Sequence, residues 1–332
     1  MERSEPVGRR SARLRHRAVW MYYAEGMTQN AIADALGIGR VTVVRMLAEA
    51  KALNEIKISL RGELEEAPRL EIELEKAFGL KQVIVTPLSA EDADPTAPIG
   101  AACGLFVSGL VKANMKIGVG WGRTLYGSLN YIDESQLPGV EVISMMGGVS
   151  AVRRYNPAEF AWRFSRLFNA DCYLVAAPIV VDSEETKTAL VERCGIGPVF
   201  DRARELDVVL LSVGSMEPTS TSHLFDIISE QERRELIAVG AVGDVMYNFF
   251  DIDGELVDHP LNSRIMSVPI AQLRQVPQKL LISGGNDKVD AVLGALRLLE
   301  PHMLITDEVT AQALLDRIGV EAAPRHHEID DE

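Results

Sequence analysis

Leu14, Ala18 and Tyr22 recur every four residues, which predicts a helix over 11–24 with one apolar face, and Gly26 supplies its stop. Thr28 is placed to cap a second helix whose compact apolar face is Ile32, Ala33 and Leu36; Ala31 three residues on denies it a capping box. Gly37 provides a tight turn. From Gly39 a third helix carries Val43, Met46, Leu47 and Ala50 inward. The period then changes: Ile56, Ile58 and Leu60 alternate with polar residues as a short strand, and an acidic helix with Leu70, Leu74 and Phe78 follows Pro68.

Beyond Gln82, short apolar runs at 83–85, 116–119, 140–145, 173–175, 208–212 and 280–282 are separated by helical stretches. The runs are nearly continuous in apolar residues, as expected of parallel strands covered by helices on both faces, so the class is α/β. Residues 321–332 are mostly acidic or polar with no apolar period, which predicts a loose tail. The expected organisation is a three-helix unit at 1–54, one large α/β unit at 55–320, and the tail.

Composition agrees with a folded chain: of 332 residues, 47% are hydrophobic and 25% charged, which excludes wholesale disorder. The longest apolar stretch, 101–111, falls short of the roughly 20 residues a membrane span needs. The Arg-rich start lacks the apolar core of a secretory signal, so a cytoplasmic location is expected and no membrane partner. Cys103, Cys172 and Cys194 form no Cys-x-x-Cys pair and the histidines no His-x-x-x-His arrangement, so no metal is assigned.

Net charge is −14, which by itself argues against nucleic acid. Its distribution reverses that. Residues 1–60 hold ten Lys or Arg against six Asp or Glu, a local balance of +4, leaving −18 for the remainder. A basic helix-turn-helix module on an acidic body points to double-stranded DNA, the plain alternative being a three-helix packing unit with a solvated basic terminus. In the helix-turn-helix reading, Arg40, Thr42, Val44 and Arg45 face base edges from the third helix, while Gln29 and the arginines at 13, 15 and 17 contact phosphate or position the module.

Two glycine-rich turns carry the remaining chemistry. The run 116–119 leads into Gly120-Trp121-Gly122-Arg123-Thr124 ahead of a helix face. The run 280–282 ends in Ser283-Gly284-Gly285-Asn286-Asp287-Lys288 before another. Glycines let backbone amides approach a ligand closely, a helix start favours an anion, and Arg123, Thr124 and Lys288 add donors. Strand ends of an open α/β sheet share one crevice, so the two turns are expected to converge. Asp244 and, more weakly, Asn156 are candidates to accept sugar hydroxyls. Each feature also has a plainer reading, as a packing turn, an exposed first-turn lysine or a helix cap. Neither turn is a Walker A loop or a dinucleotide fingerprint, and no cofactor is expected.

The stretch Tyr22-Tyr23-Ala24-Glu25-Gly26-Met27-Thr28-Gln29, with Ile32-Ala33, Leu36-Gly37-Ile38, Val43, Arg45 and Leu47, resembles the SorC-type sugar-binding transcriptional regulators. Gly120-Trp121-Gly122-Arg123-Thr124, Gly243-Asp244 with Phe250-Asp251 and Gly254, Gly284-Gly285 with Lys288, and Thr306-Asp307-Glu308 extend the likeness across nearly the whole chain. The resemblance implies a Rossmann-like effector domain similar to sugar-phosphate isomerases, a sugar, sugar-phosphate or polyol effector, and a homotetramer. It implies an effector site of Gly120, Gly122, Arg123, Thr124, Asp244, Gly285 and Lys288. Gly39 and Ser283 depart from it: the family commonly has Ser at the first and a small apolar residue at the second. The rival function is a sugar-phosphate isomerase or deaminase-like enzyme with Asp244 or Lys288 as base. It lacks an evident acid–base pair and leaves the N-terminal module unexplained.

Overall fold

The computed structural model describes residues 7–53, 55–56, 67–149, 155–218, 220 and 227–319. Of the strand expected over 56–60 only Ile56 is among them, and the acidic tail lies outside them. The chain divides into two compact units, Met1–Arg61 and Gly62–Glu332.

In the first unit, α1 (Val7–Tyr23), α2 (Gln29–Leu36) and α3 (Arg40–Ala52) enclose a core of Ala18, Met21, Ile32, Ala33, Val43, Met46 and Leu47. The Thr28 hydroxyl accepts the Ala31 N–H at 3.2 Å, and Gly37 adopts the left-handed conformation that ends α2. Gly39 caps α3 without a side-chain bond. The inner face of α1 runs through Ala18 and Met21 with Leu14 partly buried, and Tyr22 is exposed. Steps of four residues drift 40° per step from a 3.6-residue period, so the stripe expected through Tyr22 turns away from the core.

Arg15 corrects a second expectation. Three residues before Ala18, it lies on the inner face, 7% exposed. Its guanidinium donates to Glu49 at 3.0 Å and from Nε to Glu55 at 2.6 Å. It clamps α1 to the end of α3, and its donors are spent on these carboxylates.

The second unit opens with α4 (Ala67–Phe78), β1 (Gln82–Thr86), α5 (Thr96–Leu110), β2 (Lys116–Val119), α6 (Arg123–Ser128), β3 (Glu141–Gly148), α7 (Pro157–Leu167) and β4 (Asp171–Pro178). It continues through α8 (Glu184–Arg193), α9 (Gly197–Arg202), β5 (Val208–Leu211), β6 (Gly214–Ser215), α10 (Glu230–Ala238), β7 (Gly243–Val245) and β8 (Asn248–Phe250). It closes with α11 (Pro260–Arg264), α12 (Ile270–Leu273), β9 (Gln278–Ile282), α13 (Val289–Leu299), β10 (Met303–Asp307) and α14 (Glu308–Arg317).

Seven strands form one parallel sheet in the order β1-β10-β9-β5-β2-β3-β4. Side chains alternate between two cores: Val208 and Leu210 enter the layer with α5, α6 and α7, and Val209 and Leu211 enter the layer with α4, α13 and α14. Burial on both faces is why the strands read as continuous apolar runs. The apolar stretch 101–111 is mostly α5, and a Cβ at Gly104 would sit 2.6 Å from the Ser128 carbonyl oxygen. That close approach seats α6 and fixes the turn ahead of it.

A second, antiparallel sheet β6-β7-β8 stands at the carboxyl end of β5. Its β7–β8 hairpin turns through Met246 and Tyr247, at φ +52° and +63°, conformations that non-glycine residues adopt at a cost of about 1–2 kcal/mol each. Asn248 braces the turn, its amide donating to the Val245 and Met246 carbonyls and to Ser267.

Candidate effector cavity and DNA-reading face

β5 lies between β2 and β9, so the turns after those two strands flank the segment that leaves β5 for the small sheet. There a cleft of about 430 Å³, open mouth included, is lined by Trp121, Gly122, Arg123, Ser212, Val213, Gly214, Ser215, Ser220, Asp244 and Lys288. Of the seven predicted effector residues, Gly122, Arg123, Asp244 and Lys288 therefore border one cavity. Gly120, Thr124 and Gly285 do not. The Gly120 N–H donates to the Leu210 carbonyl at 2.8 Å, tying β2 to β5, and Thr124 is buried at the start of α6. The Gly285 N–H is taken by Asp307 at 2.9 Å and the Thr310 hydroxyl at 2.7 Å.

Asp307 is fully buried and caps α14, also accepting the Thr310 N–H at 2.9 Å and the Thr310 hydroxyl at 2.7 Å. The Gly284–Gly285 turn is thus held by protein groups and serves to aim Lys288. Ser283 is fully buried under it, its hydroxyl without a partner and away from the cavity. Asn156 caps α7, accepting the Ala158 N–H at 2.9 Å, and its amide donates to Val149. It too is off the cavity.

The electrostatics follow from the dry setting. Burial raises the Asp244 carboxyl to about 6, opposed by the Tyr247 N–H it accepts at 2.8 Å and by Lys288. Burial likewise pushes the Lys288 ammonium below its ordinary value, with Arg123 acting in the same direction and Asp287, Asp244 and Asp94 opposing it. At Asp94 burial acts upward, but the Thr96 hydrogen bonds and the charges of Arg123 and Lys288 together hold it low. Two cations and a buried carboxyl around one opening can take both an anionic group and hydroxyls. α6 has only six residues, so its dipole is small and Arg123 supplies the charge.

Sequence reasoning passed over the serines. Ser212-Val213-Gly214-Ser215 repeats the strand-then-glycine pattern of the other two turns, and that was a usable signal. Gly214 is required because a Cβ there would fall 2.2 Å from an Asp244 carboxylate oxygen. Trp121 stacks on the fully buried Tyr247 at 5.4 Å, a partnership between distant segments that no local pattern announces.

In the first unit, Arg40, Val44 and Arg45 are exposed on α3, with Thr42 and Gln29 half-buried. Gln29 and Arg40 border one open cleft with Tyr22, Thr28 and Asn30. Val41, absent from the predicted set, is 83% exposed at the second position of α3.

Residues 62–316 match the model of the Sugar-bind family, the sugar-binding domain. The chain belongs to that family. It is 27% identical over 301 residues to the erythritol catabolism regulatory protein EryD of Brucella abortus, covering 90% of this chain and 95% of the relative. It is 28% identical over 314 residues to the deoxyribonucleoside regulator of Bacillus subtilis, covering 93% and 99%. The crystal structure of the full-length sorbitol operon regulator SorC from Klebsiella pneumoniae superposes with a TM-score of 0.69 at 27% identity, covering 92% of this chain and 99% of that one. This Sugar-bind protein is a SorC-type transcriptional regulator, and the relatives compared are named as regulators rather than enzymes. Among the described residues no helix is long and apolar enough to cross a membrane.

Proposed function

We propose that this regulator binds operator DNA through α3 and that a sugar, polyol or, best matched to its two cations, sugar-phosphate effector in the Arg123–Asp244–Lys288 cavity controls that binding. The observation that carries the reading is the meeting of Arg123, Lys288 and Asp244 at one cavity on a chain that also bears a helix-turn-helix unit. Arg123 and Lys288 take the anionic group, and Asp244, Ser212 and Ser215 take hydroxyls. Arg40, Val41, Thr42, Val44 and Arg45 read base edges, with Gln29 placing the unit on phosphate. The protein acts in the cytoplasm as a homotetramer, so that effector binding biases arrangements with different half-site spacing.

A thermal-shift panel of sugars, polyols and their phosphates, followed by operator footprinting with and without the hit, tests this. A ligand that binds the folded protein at a hundredfold excess over Kd stabilises it by about 2.7 kcal/mol. The reading fails if no compound raises the midpoint, or if a stabilising compound leaves the footprint unchanged.

A further inference from the structure

The two edges of the seven-stranded sheet are treated differently. On β1 the Val83 N–H donates to Glu75 at 3.0 Å and the Val85 N–H to Glu71 at 2.9 Å. Two glutamates one helical turn apart on α4 thus stand in for a neighbouring strand, and the edge is closed to pairing. β4, at the other edge, pairs among the described residues only with β3 in the sheet. It is eight residues long and carries no charge from Cys172 to Pro178. Long, uncharged edge strands are what soluble proteins ordinarily avoid unless something covers them.

The surface beside β4 has interface chemistry. Cys172 packs into the same layer as Phe160 and Phe164 of α7, so by the two-residue period Leu174 stands on the α7 face of the sheet. Leu174 is 36% exposed and Trp162 of α7 is 55% exposed, with the Arg166 guanidinium over its indole. Aromatic and Arg side chains around an apolar centre are the composition of association surfaces.

We infer that β4, flanked by Trp162, is the surface through which two copies of this chain associate, edge strand against edge strand about a two-fold axis. This rests on the assembly in the proposed function and assigns its contact. The occupant is a second copy for two reasons. An uncharged strand offers no charge pattern to select a foreign partner, whereas antiparallel pairing with itself is isologous. A chain with one helix-turn-helix unit also needs a two-fold mate to read both half-sites.

Sedimentation velocity of the full chain tests this, comparing wild type with Leu174→Lys and with Gln82→Lys on the blocked β1 edge. Wild type should sediment as a dimer or larger. Leu174→Lys should raise the dissociation constant at least tenfold with an unchanged circular dichroism spectrum, and Gln82→Lys should leave it unaltered. Amide exchange of the 171–178 peptide in undiluted and diluted wild type gives a reading that needs no variant: protection should fall as the assembly dissociates. An assembled wild type whose β4 amides exchange equally at all concentrations, or that persists in Leu174→Lys, overturns the assignment and leaves the assembly standing. A monomeric wild type overturns both.

Discussion

The turns after β2 and β9 look alike in sequence, a short apolar strand followed by glycines and a cation, yet they work differently. At the first, Gly122 itself lines the cavity and Arg123 follows directly. At the second, the Gly285 amide is spent on Asp307 and Thr310, and only Lys288 reaches the opening. A glycine turn at a strand end is therefore not by itself an anion cradle. What decides is whether its N–H groups already have partners within the protein.

The largest effect that would break this contrast is at Asp307. Asp307→Ala removes the acceptor of the Gly285 and Thr310 N–H groups and of the Thr310 hydroxyl, and should cost about 3 kcal/mol by denaturant titration. Effector binding should weaken with it, because Lys288 loses its support. Next, Arg123→Ala and Lys288→Ala should each weaken a phosphorylated effector about ten- to a hundredfold by calorimetry, sparing its unphosphorylated parent. Equal loss for both ligands would remove the anion assignment.

A smaller effect is pH-dependent. Because burial raises Asp244 to about 6, the native state holds a proton that the unfolded chain releases near its ordinary value. Its contribution to stability therefore falls as pH rises from about 4 to about 6 and is level above. Asp244→Asn lacks this slope, so its melting temperature relative to wild type, without effector, should climb over that interval. A constant difference would place Asp244 in a wetter setting. The smallest change is Ser283→Ala, which deletes a buried hydroxyl without a partner and should raise stability by about 1 kcal/mol in thermal melts.

Much of this molecule was legible where local chemistry is self-sufficient. The strand 116–119 was placed to the residue, and Thr28 and Gly37 bounded α2 as expected, because caps and apolar runs act within a few residues. β10 went unassigned despite Leu304 and Ile305, because Pro301 and the polar end Thr306-Asp307 obscured a five-residue run. The small sheet escaped because strands of two or three residues carry no period. Its tight turn also uses Met and Tyr where glycine or Asn is the usual signal. Arg15 was misplaced because a count of charges treats every arginine as solvated, while its spacing from Ala18 turned it inward. Of the cavity, the charged members and Gly122 were found and the serines were not, and Trp121 against Tyr247 is a contact between segments that only the fold brings together.

Glu71 and Glu75 also decide where this regulator can be divided. Their helix replaces a missing strand, so it is part of the sensor's sheet and not a tether to the reading head. A sensor fragment excised downstream of Phe78 would expose two unmet amides on a bare β1 and invite precipitation, whereas a cut ahead of Ala67 keeps that margin sealed.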